Sequence, residues 1–189
     1  MSKNTKKQPY PWFLALKHEM KDPDKIIESD DRIVIIKDNY PKANYHFLVL
    51  PKEDIKNLNE VTKDHLDLLK HMDRKGREFA ERIAPGRKFK FGYHAAPSMY
   101  QLHLHIISKD FDSPFMKHKK HWNSFTTKFF LNSENIIGQL EKNGKLNLMS
   151  TLQAKELLKS SLKCHICKEA FSLFPKLKEH VHFHATSDS

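Results

Sequence analysis

Residues 93–114 read YHAAPSMYQLHLHIISKDFDSP, and the centre of this stretch alternates histidine with apolar residues. Along a β-strand, side chains two residues apart lie on the same face of the sheet. A strand over Leu102–Ser108 would therefore place His103 and His105 together on one face and its leucines on the other. Two imidazoles on one face can bind a metal ion, bind phosphate or supply a nucleophile, and histidines that only fill a core also occur in such pairs.

The neighbouring segments predict a sheet with helices packed against it. Arg32–Lys37 and His46–Leu50 are rich in β-branched and apolar residues, and Lys88–His94 alternates basic with aromatic or small residues, so each predicts a strand. A long helix is predicted from the N-cap Thr62 up to the stop at Pro85. Shorter helices are predicted near Pro11 and over Asn132–Lys142. This combination predicts an α+β fold.

The chain of 189 residues is 39% hydrophobic and carries a formal net charge of +10. The hydrophobic content is that of a globular protein, and the basic surplus favours a polyanionic partner such as nucleic acid. No apolar run is long enough to cross a bilayer, and the N-terminal MSKNTKKQ lacks the apolar core of a secretory signal. We therefore expect an intracellular protein that does not bind membranes.

The C-terminal part carries the ligand spacing of a zinc finger: Cys164-x2-Cys167, twelve residues, then His180-x3-His184. Thiolates from a hairpin and imidazoles from a helix can complete a tetrahedron around Zn²⁺. Phe171 lies between the two ligand pairs, where such fingers place an apolar core residue. Four protein ligands leave no open position, so the zinc is expected to be structural.

The histidine stretch resembles the histidine-triad (HIT) superfamily of nucleotide hydrolases and transferases, and within it the DNA-adenylate hydrolases. The similarity continues through IIKDNYPKANYHFLVLP, LLKHM, KKHWNSF and the zinc-ligand spacing, over roughly residues 10–185. It implies a HIT-like antiparallel sheet with packed helices and a ββα-type zinc finger. The expected division is a disordered basic tail (1–8), a HIT-like catalytic domain (9–145), a linker with a helix (146–160) and a C2H2 zinc finger (161–186). Animal relatives often carry an additional N-terminal phosphopeptide-binding domain, for which this chain has no room.

The resemblance also implies catalytic roles. The middle histidine of the family motif is its nucleophile, and this position is His103. His105 is the third motif histidine, and His46 and His94 are expected to contact phosphate oxygens. Either His46 or His94 could be the general acid, and the sequence does not decide between them. The first motif position is Gln101, which can form hydrogen bonds but cannot titrate.

Further residues are expected to bind the nucleotide and its phosphate: Lys42 by its charge, Ser98 by its hydroxyl, Asp38 by accepting from the ribose, and Gln101. The resemblance implies an aromatic wedge at Trp12 that stacks on the terminal base pair of DNA. Contacts to backbone phosphates are expected from Lys117, Lys119, Lys120 and His121. Each of these has an ordinary structural alternative, as a turn residue, a core aromatic or a solvated basic loop.

Together with these residues, the resemblance implies a DNA-repair hydrolase that removes AMP from 5′-adenylated ends through a covalent adenylyl-histidine and leaves a 5′-phosphate. The expected partner is nicked or broken duplex DNA, bound by a monomer in the nucleus, with structural Zn²⁺ and no metal in catalysis. Two alternatives stay open: a HIT hydrolase of small nucleotides such as phosphoramidates or dinucleoside polyphosphates, and a catalytically inert DNA-end-binding zinc-finger protein. Gln101 is the feature that favours the inert protein.

Overall fold

A six-stranded antiparallel sheet forms the centre of the structure, a computed structural model that describes residues 11–187. Its strands are β1 (Ile26–Ser29), β2 (Ile33–Lys37), β3 (His46–Pro51), β4 (Phe89–His94), β5 (Leu104–Ser108) and β6 (Phe130–Asn132). The order across the sheet is β1-β2-β3-β5-β4-β6. The predicted tail, residues 1–8, lies outside the described residues.

Within residues 11–187, six α-helices accompany the sheet: α1 (Ala15–Glu19), α2 (Leu66–Ile83), α3 (Lys119–Thr126), α4 (Ser133–Asn143), α5 (Thr151–Lys159) and α6 (Phe174–Ser187). The predicted long helix is confirmed as α2, which follows a short 3-10 turn capped by Thr62 and ends before Pro85. A 3-10 turn also precedes α1, at Trp12–Leu14. No helix among the described residues is both long and apolar enough to cross a membrane.

The two faces of the sheet have different partners because strand side chains alternate. On β5, Leu104 and Ile106 point into the core cluster formed with α2 and α4. Ile107 points the other way, into a cluster with Trp122 and Phe125 of α3. The predicted separation of the leucines from His105 is therefore confirmed. His105, two residues before Ile107 on β5, lies on the same face as Ile107, the face that α3 covers.

Strand β5 begins at Leu104, so the predicted start at Leu102 is wrong. Gln101 has φ of +80°, in the left-handed region, and a strand cannot continue through that conformation. The Leu102 N–H donates to the carbonyl of Ile55, at 2.7 Å, instead of to a neighbouring strand. His103 therefore lies in the connection just before the strand.

The sequence did not predict β1, β6 or α3. Helix α3 begins with lysines, which oppose the positive end of the helix dipole, and its N-cap is His118 instead of a preferred cap residue. Tertiary packing compensates, because Trp122 and Phe125 are buried. The segment predicted as a basic arm is thus a helix with a buried face.

The zinc-finger segment has the predicted ββα order, with β7 (Leu162–Lys163) and β8 (Ala170–Phe171) preceding α6. It packs on the sheet, because Leu162 and Leu177 belong to the same buried cluster as Phe125. Polar contacts reinforce this: the indole N–H of Trp122 donates to the carbonyl of Lys163 at 3.0 Å, and Lys178 Nζ donates to the carbonyl of Ser113 at 2.8 Å. The finger is continuous with the core of the molecule.

Candidate active site

Four histidines meet at one end of the sheet face that α3 covers. The ring centroid of His105 lies 4.4 Å from that of His94, 4.9 Å from that of His103 and 5.2 Å from that of His46. Strand register explains the grouping. Gly92, two residues before His94 on β4, pairs with His105, and His46 on β3 pairs with Ile107, two residues after His105. The structure thus brings together all four histidines that the sequence predicts to be catalytic.

Glycine is needed at position 92 because the ring of Phe130 and the carbonyl of Leu131 approach its Cα. A Cβ built there would lie 2.3 Å from the Leu131 carbonyl oxygen and 2.5 Å from the Phe130 ring. The close approach places Phe130 behind His94 and His105, at 6.2 and 6.3 Å between ring centroids.

A chain of hydrogen bonds sets the tautomers of two of these imidazoles. The backbone N–H of Lys42 donates to Nδ1 of His46 at 3.1 Å, so that nitrogen carries no proton. Nε2 of His46 therefore carries the proton and donates to Nδ1 of His105, at 2.9 Å. Nε2 of His105 must then carry the proton of the second ring. Its N–H is left available for an acceptor.

The tautomer of His103 is fixed by a backbone carbonyl. Nδ1 of His103 lies 2.8 Å from the carbonyl oxygen of Gln101, which can only accept, so Nδ1 carries the proton. The lone pair of His103 is then at Nε2. His103 is 6% exposed and borders a small pocket together with His94 and Asn57. A nearly buried imidazole with a free lone pair thus borders this pocket.

Burial keeps the cluster neutral. It lowers the pKa of His46 to about 4, holds the pKa values of His94 and His105 well below the ordinary value, and lowers that of His103. The neighbouring imidazoles act in the same direction on His94 and His105, because a charge on one ring disfavours a charge on the next. Neutral imidazoles are the forms that can attack an electrophile and donate a single N–H.

Two nitrogens of the cluster are buried without a hydrogen-bond partner among residues 11–187: Nε2 of His94 and Nε2 of His105. Unsatisfied buried polar groups are costly and uncommon, and they concentrate at functional sites. The His105 ring lies 4.9 Å from that of His103 between centroids, and His94 lines the same pocket as His103. Their nitrogens are therefore suited to contact the oxygens of a phosphate that His103 attacks.

Gln101 has a role that the sequence does not indicate. Its side-chain amide donates to the carbonyls of Pro51, at 2.7 Å, and Glu53, at 2.8 Å. Both amide hydrogens are thereby used, and none remains for a phosphate oxygen. This geometry speaks against the predicted phosphate contact of Gln101. Its side chain instead bonds to the end of β3, and this holds in place the Gln101 carbonyl, which orients His103.

The turn after β2 places charges beside the cluster. Asp38 Oδ2 lies 3.6 Å from Nδ1 of His46, and Asp38 also accepts from the Tyr40 N–H at 2.7 Å. Burial lowers the pKa of Lys42, Asp38 raises it, and the charge of Lys117 lowers it further. The structure thus groups Asp38 and Lys42 with the histidines, as predicted. Ser98 lies exposed in the connection between β4 and β5.

The predicted DNA-contacting residues are exposed or partly buried. Trp12 is 66% exposed, so it is not a core residue, and its ring packs edge-on to Phe13. Lys117 and Lys120 are exposed, whereas Lys119 is partly buried at the start of α3.

His121 is partly buried in α3, and its ring lies 3.6 Å from that of His118, a residue the sequence reasoning missed. The spacing of three residues on a helix could have indicated this pair.

Lys42 interacts electrostatically with both this basic segment and the histidine cluster. Burial and the charges of His118, Lys42 and Lys117 together lower the pKa of His121 to about 4. Lys42 also lowers the pKa of His46. The basic segment before and within α3 therefore adjoins the histidine cluster through Lys42.

The predicted zinc ligands converge at one point. The ligand atoms of Cys164, Cys167, His180 and His184 all lie within 4.8 Å of one another. Nε2 of His180 lies 3.1 Å from the Cys167 sulfur and 3.0 Å from Nε2 of His184. Two sulfurs and two imidazole nitrogens in this arrangement suit tetrahedral Zn²⁺. Burial and the neighbouring Cys167 thiol raise the pKa of Cys164, and a bound cation would offset this.

Known proteins share this architecture along nearly the whole chain. A family model described as "Scavenger mRNA decapping enzyme C-term binding" matches residues 12–121, and one described as "C2HE / C2H2 / C2HC zinc-binding finger" matches residues 126–187. Aprataxin from Gallus gallus is 51% identical over 178 residues, which cover 93% of this chain and 55% of the relative. Aprataxin from Danio rerio is 47% identical over 178 residues, 93% of this chain and 54% of the relative.

An aprataxin-like protein from Saccharomyces cerevisiae is 32% identical over 208 residues, 90% of this chain and 94% of the relative. The chain belongs to the aprataxin family. A solved structure described as the aprataxin ortholog Hnt3 in complex with DNA matches it with a TM-score of 0.77 at 27% identity, covering 94% of this chain and 96% of that one. The predicted HIT-like sheet with a C-terminal zinc finger is thereby confirmed. The finger model and the Cys/His cluster together indicate zinc binding. The chain spans about half the length of the curated aprataxins it matches.

Proposed function

We propose that this chain removes AMP from 5′-adenylated DNA ends through a covalent adenylyl-His103 and leaves a 5′-phosphate. The observation that carries the proposal is the hydrogen bond of 2.8 Å between Nδ1 of His103 and the Gln101 carbonyl, because it keeps the lone pair at Nε2. The His103 ring lies 4.9 Å from that of His105 between centroids and borders one pocket with His94, and these two rings carry the unsatisfied nitrogens.

In the first step, Nε2 of His103 attacks the phosphorus of the adenylate. A nitrogen–phosphorus bond forms, and the bond from that phosphorus to the bridging oxygen breaks, so the DNA 5′-phosphate leaves with the electron pair. The imidazole becomes positively charged, and the Gln101 carbonyl stabilises the N–H of that cation. The N–H of His105 and the charge of Lys42 offset negative charge on the phosphate oxygens.

In the second step, water attacks the same phosphorus and the nitrogen–phosphorus bond breaks. AMP leaves, one proton from the water passes to solvent, and His103 recovers its lone pair. We propose that this chemistry needs no metal. Nε2 of His46 and Nδ1 of His105 share one hydrogen bond, and Nδ1 of His46 accepts from Lys42, so these lone pairs are not available as ligands.

The basic segment beside the site supports a nucleic-acid substrate. Lys117, His118 and His121 adjoin Lys42 at the edge of the cluster, and Trp12 presents an exposed ring suited to stacking on a base pair. The Hnt3 structure was solved with DNA. We propose nicked or broken duplex DNA as the partner of a monomer, and the nucleus as the place of action.

AMP release from a nicked duplex carrying a 5′-AMP tests the proposal, with a small adenylate ester assayed in parallel. We expect faster release from the duplex, and its loss in His103→Ala. His71→Gln is a matched control, because His71 lies on α2 and bonds to Asp30 at 2.7 Å, away from the cluster. Equal or better turnover of the ester would support a small-nucleotide hydrolase. Tight duplex binding with no AMP release would support an inert end-binding protein.

A further inference from the structure

Phe125 of α3 contacts three of the catalytic imidazoles. Its ring centroid lies 4.7 Å from that of His94 and 5.4 Å from those of His46 and His105. The ring stands edge-on to His46 and His105, with interplanar angles of 90° and 89°. Phe125 is 2% exposed. One apolar ring therefore forms the wall of the histidine cluster on the side of α3.

Hydrogen bonds from two neighbouring residues of α3, Trp122 and Asn123, fix the position of Phe125. The indole of Trp122 donates to the carbonyl of Lys163, at the start of the finger. The side-chain amide of Asn123 donates to the carbonyls of Leu158, at 3.1 Å, and Ser160, at 2.8 Å. Both neighbours are buried. The finger and the segment before it thus hold α3 against the sheet.

We propose that Phe125 is a positioning residue for adenylate transfer: its ring holds the three imidazoles in their observed orientation, including the hydrogen bond between His46 and His105, and keeps water from that side of the cluster. Only the expected effect on the rate of AMP release rests on the proposed function. An imidazole turns about one bond, and a ring packed against its edge restricts that rotation. Nε2 of His105 points to the substrate only while Nδ1 still accepts from His46.

The exclusion of water by the Phe125 ring also affects the pKa values of the histidines. Burial is the largest cause of the low pKa values of His46, His94 and His105. The charged groups that face the cluster are Asp38 and Lys42 from the turn after β2 and Lys90 from β4. A smaller side chain at position 125 leaves these charges in place. It opens a space lined by polar nitrogens, which water can enter.

Phe125→Leu tests the proposal, with Phe111→Leu as the matched control. Phe111 is 1% exposed and contacts Trp122 and Phe125 in the same cluster, at 5.6 and 6.2 Å between centroids, without contacting a catalytic imidazole. Both variants leave a similar cavity. A difference between them therefore reports on the histidines and not on general loosening of the core.

Two readouts are expected. Without substrate, NMR titration of the ring protons should show the pKa values of His94 and His105 moving up toward the ordinary value in Phe125→Leu and staying low in Phe111→Leu. In the AMP-release assay, kcat per folded molecule should fall about tenfold in Phe125→Leu with KM for the duplex little changed, and the acidic limb of the kcat profile should move to higher pH.

The proposal is overturned if the two variants give the same histidine titrations. The histidine titrations need no turnover, so they test the proposal even if the wild-type protein releases no AMP. Absence of AMP release would contradict the proposed function alone. Should Phe125→Leu fail to fold, Phe125→Met provides the same comparison with a smaller loss of packing.

Discussion

Replacing Gln101 by glutamate would remove two hydrogen-bond donors while keeping the shape of the side chain. The Pro51 carbonyl would lose this donor, the Glu53 carbonyl would keep only the Ile55 N–H at 3.0 Å, and a carboxylate oxygen would face both. An unsatisfied buried carbonyl costs about 1–3 kcal/mol, and the partly buried Glu53 contact costs less because water can reach it. We expect Gln101→Glu to lower the free energy of unfolding by about 2–4 kcal/mol. For a chain of this size, Tm should fall by about 4–16 °C.

The loss of stability in Gln101→Glu should also depend on pH. Burial beside two carbonyl oxygens would raise the pKa of the new carboxyl above its value in the unfolded chain. Stability relative to the wild type is then better retained at low pH and lost as pH rises through the raised value. Urea unfolding of both proteins at pH 5 and pH 8 measures this difference. The kcat of AMP release should fall about ten- to hundredfold, because the Gln101 carbonyl orients His103.

Gln153→Glu is the matched control. Gln153 is exposed in the first turn of α5, where Oε1 accepts from the Ser150 N–H at 2.9 Å, and glutamate keeps that acceptor. Its effect on stability should stay within about 0.5 kcal/mol. Gln101→His keeps one donor and should fall between wild type and Gln101→Glu. If Gln101→Glu matches Gln153→Glu in both stability and kcat, the role assigned to Gln101 is wrong.

Three further outcomes are expected. The free energy of unfolding should fall as pH drops from 6.5 to about 4, because burial lowers the pKa of His46 while the unfolded chain still takes up protons; urea midpoints across that range measure it. Cys164→Ser should lower Tm and slow turnover of a small adenylate ester together, because Cys164 belongs to the cluster that contains Phe125; an unchanged ester rate would contradict this. Lys117→Ala should reduce the slope of log affinity against log salt for duplex DNA by about one, and an unchanged slope would exclude a phosphate contact.

The sequence predicted the parts of the fold that local pattern decides. The β-branched run of β2, the alternation in β5 and the stop after α2 are each encoded within a few residues. It predicted neither β6 nor α3, because both depend on contacts with distant segments: β6 pairs with β4, and α3 is stabilised by burial of Trp122. Its lysine-rich start argues against a helix.

The candidate catalytic residues were predictable because motif positions carry them, whereas their supporting contacts were not. The positive φ of Gln101 and its two acceptors arise from the connection that follows β3, some 50 residues earlier in the chain. Phe125 resembles any other aromatic residue of a basic segment until α3 places it against the imidazoles. The finger was expected to be an appendage, but its helix and the sheet share one buried cluster.

The most direct test of the central claim is to find the covalent intermediate. The protein should be mixed with nicked duplex bearing a labelled 5′-AMP, denatured within the first turnover and digested under basic conditions that preserve phosphoramidates. Mass spectrometry should then find adenylate on the peptide that contains His103, and none in His103→Ala. Adenylate on another residue, or AMP release with no labelled peptide at any time, would contradict the mechanism.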